Sequence, residues 1–366
     1  MSRVVNSTGV ARPSPTVAWA THLICLFTTI ATLPLLISGG LVVSTESSLS
    51  VPDWPLSYGM WMPPMVGGIF YEHGHRMIGA TVGLLVLILN AWVHLVDSRV
   101  WIRELARIAL IAVCLQGLLG GLTVLYFLPL PVSVFHGCLA QIFFCLLLAM
   151  SLVTRTSGGS RDGMIAAPHS ADGITIRKLT RALIATLAVQ LVLGVTLRMN
   201  RPEVSVPLLV IHILWAFAVI GMVGWVSWKI STLKSALPRT RAIIYSIAGL
   251  VCLQFFLGLG ALMARLHSLK APQPTWAKIL IPTAHQATGA VILGMAVALA
   301  LLASFGWTTL EAKAGAPTPG TDPSKNAVTK PTAESSIQAA ETHATSLTHD
   351  TPTPGSASAS AKAGKR

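Results

Sequence analysis

"VCLQGLLGGLTVL" (residues 113–125) returns as "VCLQFFLGLGALM" at residues 251–263. Each copy is apolar except for one glutamine, Gln116 or Gln254, and Thr123 in the first. Each is followed by a break and a second apolar run with a histidine near its start, "FHGCLAQ" (135–141) in one case and "AHQATGA" (284–290) in the other. The likeness extends backwards. "LISGGLVVS" (36–44) pairs with "LVLGVTLRM" (191–199), and His75 pairs with His212 of "VIHILWAF" (210–217). The separation is 138 residues for the glutamines and 137 for these two histidines, so the copies stay in register.

A helix needs about 20 apolar residues to cross a bilayer. Eight runs reach that length, at 17–44, 73–96, 105–127, 131–154, 179–199, 205–229, 241–266 and 280–305. The copies are four spans apart, and an even number of spans preserves orientation. The repeat is therefore parallel, about an axis along the membrane normal. The expected fold is an all-α membrane protein with eight transmembrane helices, arranged as two four-helix bundles related by a parallel internal repeat. Its expected parts are a cytoplasmic segment at 1–16, a first half at 17–154, a cytoplasmic linker at 155–178, a second half at 179–305 and a tail at 306–366. The tail is rich in Ala, Thr, Ser, Pro and Lys and has almost no large apolar side chains from which to build a core, so it reads as disordered.

Composition agrees. Of 366 residues, 53% are hydrophobic and 11% charged, with a mean hydropathy of +0.67. Soluble domains carry about 25% charged residues. The net charge of +13 lies in loops and tail and marks no basic face on a soluble module. It fits an anionic lipid bilayer as partner and excludes nucleic acid. With the N-terminus inside, twenty Lys and Arg fall on the inner side and six on the outer. Both termini are then cytoplasmic, as expected of a multi-pass protein of a bacterial plasma membrane. The first run is longer than a signal-peptide core and shows no clear cleavage site, so it reads as a retained helix. Cys25, Cys114, Cys138, Cys145 and Cys252 all sit in apolar runs without a CxxC pair, which fits neither a disulfide framework nor a zinc site. A homo-oligomer is compatible with all of this.

Ionisable groups inside a span are costly and default to function. His75 and His136 in the first half, and His212 and His285 in the second, occupy repeat-equivalent places at one depth near the outer surface. Each half thus offers two histidines on two helices. The extra Cys or carboxylate ligands of a zinc site are lacking. Two imidazoles facing across an apolar four-helix interior suit the axial positions of haem iron. His73, His22, His94, His169, His267, His343 and His349 are out of phase, at the wrong depth, or in loops and tail, and read as structural or solvated.

Glu72 lies three residues before His75 on the same helix face. It reads either as a charge at a helix N-terminus paired with Arg76, or as an acid or base beside a haem edge. Its counterpart in the second half is Leu209, so the halves have diverged: one catalytic, the other holding a resident cofactor. Arg76 is a candidate partner for a haem propionate, with snorkelling to lipid headgroups the alternative. The outer loop "TESSLSVPDWPLSYGMWMPPMVGG" (45–68) has no basic residue. Its Trp54 and Trp61 read as interfacial anchors, or the loop as a lid over the first-half site.

The segments "GGLVVSTESSLSVPDWPLSYG" (39–59), "EHGHRMIG" (72–79), "HGCLAQ" (136–141), and the later "IH" and "AHQATGA", together resemble the haem A synthase family. The resemblance covers about residues 20–305. It implies oxidation of the C8 methyl of haem O to a formyl group, giving haem A for cytochrome c oxidase biogenesis, through successive hydroxylations. It also implies that His75 and His136 hold the substrate haem, that His212 and His285 hold a haem B cofactor, and that Glu72 assists at the methyl, for example by stabilising a carbocation-like intermediate. Haem O synthase and oxidase assembly factors are the partners it suggests. Many bacterial members carry cysteine pairs in the first and third outer loops. Here the first-loop positions are Val51 and Ser57, and "RMNRPEVSV" (198–206) has none, so no loop thiol chemistry operates. Two other readings stay open: a dihaem b-type electron-transfer protein, which gives Glu72 no role and wants haems at two depths, and a non-catalytic haem carrier in oxidase assembly.

Overall fold

The computed structural model describes residues 13–156, 171–200, 204–233, 238–267 and 274–305. The greater part of the expected N-terminal segment and linker, the tail beyond Phe305, and His169, His343 and His349 lie outside them. The described residues form eight helices: α1 (Pro15–Ser44), α2 (Gly67–Val96), α3 (Val100–Leu125), α4 (Leu130–Thr156), α5 (Ala171–Met199), α6 (Val206–Thr232), α7 (Pro238–His267) and α8 (Trp276–Phe305). All eight are long and apolar enough to cross a membrane.

Several helices outrun their apolar stretches. Backbone hydrogen bonding continues through polar turns that a hydropathy reading leaves out. α2 begins at Gly67, six residues before the apolar run. Glu72 therefore lies beyond the first turn, which holds no acidic residue. The reading of Glu72 as a helix-end charge stabilised by the macrodipole is thereby corrected.

Polar side chains inside the spans are satisfied locally. In α1, Thr21, Thr28, Thr29 and Thr32 each donate to the carbonyl four residues back at 2.7–2.8 Å. An unpaired hydroxyl in an apolar layer costs several kcal/mol or about that; this back-bonding removes the cost.

α1, α2, α3 and α4 pack in a closed ring, each on its neighbour, with α4 returning to α1. α5 to α8 form a second ring in the same manner. The rings meet where α8 packs on α1 and α4, and α4 on α5. The approach there is close: a β-carbon on Gly294 of α8 would lie 2.9 Å from Leu148 of α4. At one end the seam is polar. Arg198 of α5 donates to Pro282 O of α8 and to Gly40 O and Ser44 Oγ of α1, each at 2.8 Å. Gln286 Nε2 donates to Leu36 O at 3.1 Å, and Lys278 pairs with Glu46 at 2.6 Å.

The buried core is unevenly placed along the spans. In the first ring it holds Cys25, Val86, Leu89, Ile102, Phe143 and Leu147. In the second it is built on residues such as Ile176, Leu183, Val226, Ile244, Ile247 and Leu299. These lie in the N-terminal halves of odd helices and the C-terminal halves of even ones. Dense apolar packing is thus concentrated at one end of each ring. A buried ion pair closes that end of the first ring: Asp97, fully buried, accepts from Arg99 Nη2 at 2.7 Å and from Arg99 Nε at 2.9 Å. The loop joining α1 to α2 (loop 1, residues 45–66) lies at the other end.

Candidate active site

His75, His136, His212 and His285 all fall within the first ten residues of the even helices. At 1.5 Å per residue that is roughly 9–14 Å in from the helix starts, on the loop 1 side and away from the dense cores. The structure brings them together as two pairs. His75 lies in electrostatic range of His136, and His285 of His212.

Each imidazole rests against a glycine of the preceding odd helix. A β-carbon would come 3.0 Å from Cε1 of His75 if placed on Gly39, of His212 on Gly194, and of His285 on Gly258; on Gly120 it would lie 3.4 Å from Cε1 of His136. At Gly39, Gly194 and Gly258 any larger residue would push on the ring, whereas at Gly120 a β-carbon would just reach ordinary contact. These notch glycines stand at matching places in the sequence repeats quoted above, Gly39 with Gly194 and Gly120 with Gly258. The signal was therefore in the sequence, but only the histidines were read from it.

Hydrogen bonds set the ring protons. Ser38 Oγ donates to Leu35 O at 2.9 Å, so it accepts from His75 Nδ1, also at 2.9 Å. His285 Nδ1 donates to Gln254 O at 3.1 Å. In both rings this leaves the Nε2 lone pair for another partner, the arrangement that favours metal ligation. Nε2 of His212 and of His285 receives only a long contact, 3.4 Å, from the amides of Gln190 and Gln254. Nδ1 of His136 and of His212 is buried without a partner, as are the side-chain carbonyl oxygens of Gln116, Gln190 and Gln254. Buried unpaired polar atoms are rare and call for a partner or a function. All four histidines remain half-buried. Paired, glycine-backed rings with free ring nitrogens, outside the dense core, fit a planar group that takes two axial imidazoles. Among the described residues no three His, Cys, Asp or Glu converge on one point.

Glu72 is 3% exposed. Val51 N donates to its Oε2 at 2.9 Å and Arg76 Nη2 to its Oε1 at 2.8 Å. Arg76 also donates to Asp53 O at 2.8 Å, Leu56 O at 2.9 Å and Val51 O at 3.2 Å. The guanidinium therefore binds loop 1 to the carboxylate.

His73 joins the same clamp, with its Nδ1 2.7 Å from Ser57 Oγ and its ring buried. It fits the structural reading, and its tie to loop 1 was beyond sequence reasoning. His22 and His94 are structural too, held to the carbonyls of Ser151 and Asn90 at 2.9 and 2.8 Å. Within loop 1, Asp53 accepts from the N–H groups of Tyr58 and Gly59 at 2.6 and 2.8 Å. The Gly59 N–H holds its carboxyl below the usual carboxylate range, with the Tyr58 N–H and the Arg76 charge assisting against a partial desolvation. Trp54 packs onto α3, where a β-carbon on Gly121 would lie 2.7 Å from the indole. Gly121 adjoins Gly120, the backstop of His136, so Trp54 sits one residue along α3 from that notch.

Residues 66–208 match the model of a family described as Cytochrome oxidase assembly protein. The chain is similar to proteins named Heme A synthase. It is 33% identical to that of Geobacillus kaustophilus over 129 residues, 34% of this chain and 41% of the relative. It is 29% identical to that of Bacillus pumilus over 154 residues, 41% and 50% of the two chains. With that of Roseobacter denitrificans the identity is 31% over 123 residues, 30% and 32% of the two. The chain thus covers half or less of the length of these relatives. The match takes in α2 to the start of α6, and with them Glu72, His75, Arg76 and His136.

Proposed function

We propose that this membrane protein is a haem A synthase, oxidising the C8 methyl of haem O to a formyl group for cytochrome c oxidase biogenesis. The observation that carries the reading is the doubled set of glycine-backed histidine pairs, with the buried carboxylate of Glu72 three residues before His75 and Leu209 at the matching place before His212. It is supported by the similarity of residues 66–208 to the cytochrome oxidase assembly family.

In this reading His75 and His136 ligate the iron of the substrate, haem O, and fix the methyl relative to Glu72. Ser38 orients His75 through its Nδ1–H, and Gly39 and Gly120 set how far each ring stands from its helix wall. Glu72 presents a carboxylate to a carbon that becomes electron-poor as it is oxidised. Val51 N–H and Arg76 hold that carboxylate in place. Loop 1 and Trp54 keep bulk water from the outer face of the first ring. His212 and His285 hold a resident haem B, with Gln254 O fixing the His285 tautomer. When bound, that haem supplies a one-electron redox centre. Leu209 stands in the place of Glu72, so the second site has no carboxylate at that position, which suits a cofactor that is kept unreacted. The outer location of both sites, with both termini cytoplasmic, belongs to the same proposal.

The test is Glu72→Gln, co-expressed with a haem O synthase and followed by mass analysis of extracted haems. The parent yields haem A or its hydroxylated precursor. The variant is expected to retain haem and to yield only haem O. Normal conversion by the variant would remove Glu72 from the chemistry. Unchanged haem O with the parent would favour a haem carrier, and a purified parent without haem would end the bis-histidine reading.

A further inference from the structure

The two tryptophans of loop 1 differ in their surroundings. Trp54, 40% exposed, rests on Gly121 of α3. Trp61 is 84% exposed, and around it Tyr58, Met60, Met62, Met65 and Val66 are exposed as well. From Trp54 to Tyr71 the chain has no charged residue and no histidine. An uncharged exposed cluster of this kind marks a surface that is covered in use.

Its setting identifies the cover. Loop 1 runs directly into α2, on which Phe70, Met77 and Leu84 are all exposed. Seven-residue steps keep these side chains on one face of the helix, and the loop tip extends that face. The apolar surface of the tip is thus continuous with a surface that meets lipid.

Part of the backbone of the tip is paired within the loop, which lowers the cost of a partly hydrated layer, where unpaired N–H groups are costly. Ser57 N and Met60 N donate to each other's carbonyls at 3.0 Å. Tyr58 N and Gly59 N are taken by Asp53. Pro63 and Pro64 carry no N–H, and Val66 N donates to Pro64 O at 3.0 Å. Tryptophan and tyrosine suit the interface between headgroups and acyl chains.

We infer that residues 58–66 are seated in the lipid interface of the leaflet on the loop 1 side, with Trp61 as the anchor. Loop 1 then spans from bilayer to protein interior, Trp61 held by lipid and Trp54 by α3. The inference does not depend on the chemistry proposed above.

The experiment compares the parent with Trp61→Phe in nanodiscs holding one copy of the full chain. The discs are of phosphatidylcholine, with or without bromine near the top of the acyl chains. The emission lost on substitution is that of Trp61. Expected is loss of most of that emission in brominated discs, with little quenching by aqueous iodide. Quenching by iodide and not by bromolipid would place the tip in solvent and overturn the inference. Quenching by neither would mean that protein covers it, and would overturn it equally. The substitution is conservative and at an exposed position, and unchanged emission from the other tryptophans reports that the fold is intact.

Discussion

Gly258→Ala on α7 separates the positioning of His285 from the stability of its helix. The added β-carbon would lie 3.0 Å from Cε1, whereas ordinary contact begins at 3.4 Å. The ring must retreat by about 0.4 Å, while metal–ligand distances tolerate about 0.2 Å. A disturbed ligand support of this kind costs roughly 10–100-fold in affinity, which is about 1.4–2.7 kcal/mol. The same substitution favours the helix by about 1 kcal/mol through propensity. The two effects act on different quantities, so haem affinity should fall while the helix is no less stable. Gly249→Ala is the control on the same helix, because nothing lies within 4 Å of its β-carbon. Haem is titrated into each haem-free protein and followed by the Soret band, with unfolding by denaturant measured in parallel. Expected is weaker binding for Gly258→Ala alone. Equal affinities for the two variants would refute the claim that the notch positions the ligand.

Arg76→Met should destabilise the first ring by about 3–5 kcal/mol, because it leaves the Glu72 carboxylate buried without its cation. Arg76→Lys should recover only part of this, since an ammonium lacks the planar fork that reaches several acceptors. Denaturant unfolding measures both, and an unchanged midpoint for Arg76→Met would discard the clamp. Asp53 gives a pH dependence. Its folded-state pKa is lowered, so its support of loop 1 is complete above the ordinary carboxylate value of 3.8 and is lost as pH falls below that through the lowered value. Cleavage of loop 1 by pepsin should therefore rise between about pH 4 and pH 2 in the parent. Asp53→Asn should be cleaved at both, and pH-independent resistance of the parent would count against the Asp53 turn.

The spans were legible because burial in lipid is a property of composition. Runs such as 17–44 announce themselves whatever they pack against. The histidine pairs were legible because an ionisable group is costly there, which makes His212 conspicuous amid "VIHILWAF". The start of α2 was hidden, since Gly67–Tyr71 is helical through backbone bonding to residues that its own composition does not reveal. Arg76 was hidden for a different reason. Its charge suggested an anion of substrate or lipid, but its main partners are carbonyls of loop 1, 20 to 25 residues away. Carbonyls belong to every residue and leave no mark in a sequence. The same holds for Asp97, whose buried pairing with Arg99 looks from the sequence like two loop charges.

The seam between the rings has a consequence for how the chain is made. Leu36 O on α1 waits for Gln286 on α8, 250 residues later, and Ser44 for Thr283, 239 residues later. At a synthesis rate of about 5–20 residues per second, the carbonyl of Leu36, paired within its own helix, goes without this second donor for roughly 12–50 s. Gly40 O is occupied sooner, when Arg198 arrives with α5. The first ring can close on itself from its own four helices, but α1 is completed only when the eighth of the described helices is inserted. A chain interrupted before α8 would therefore hold a first ring whose α1 lacks the side-chain partners that Gln286 and Thr283 supply.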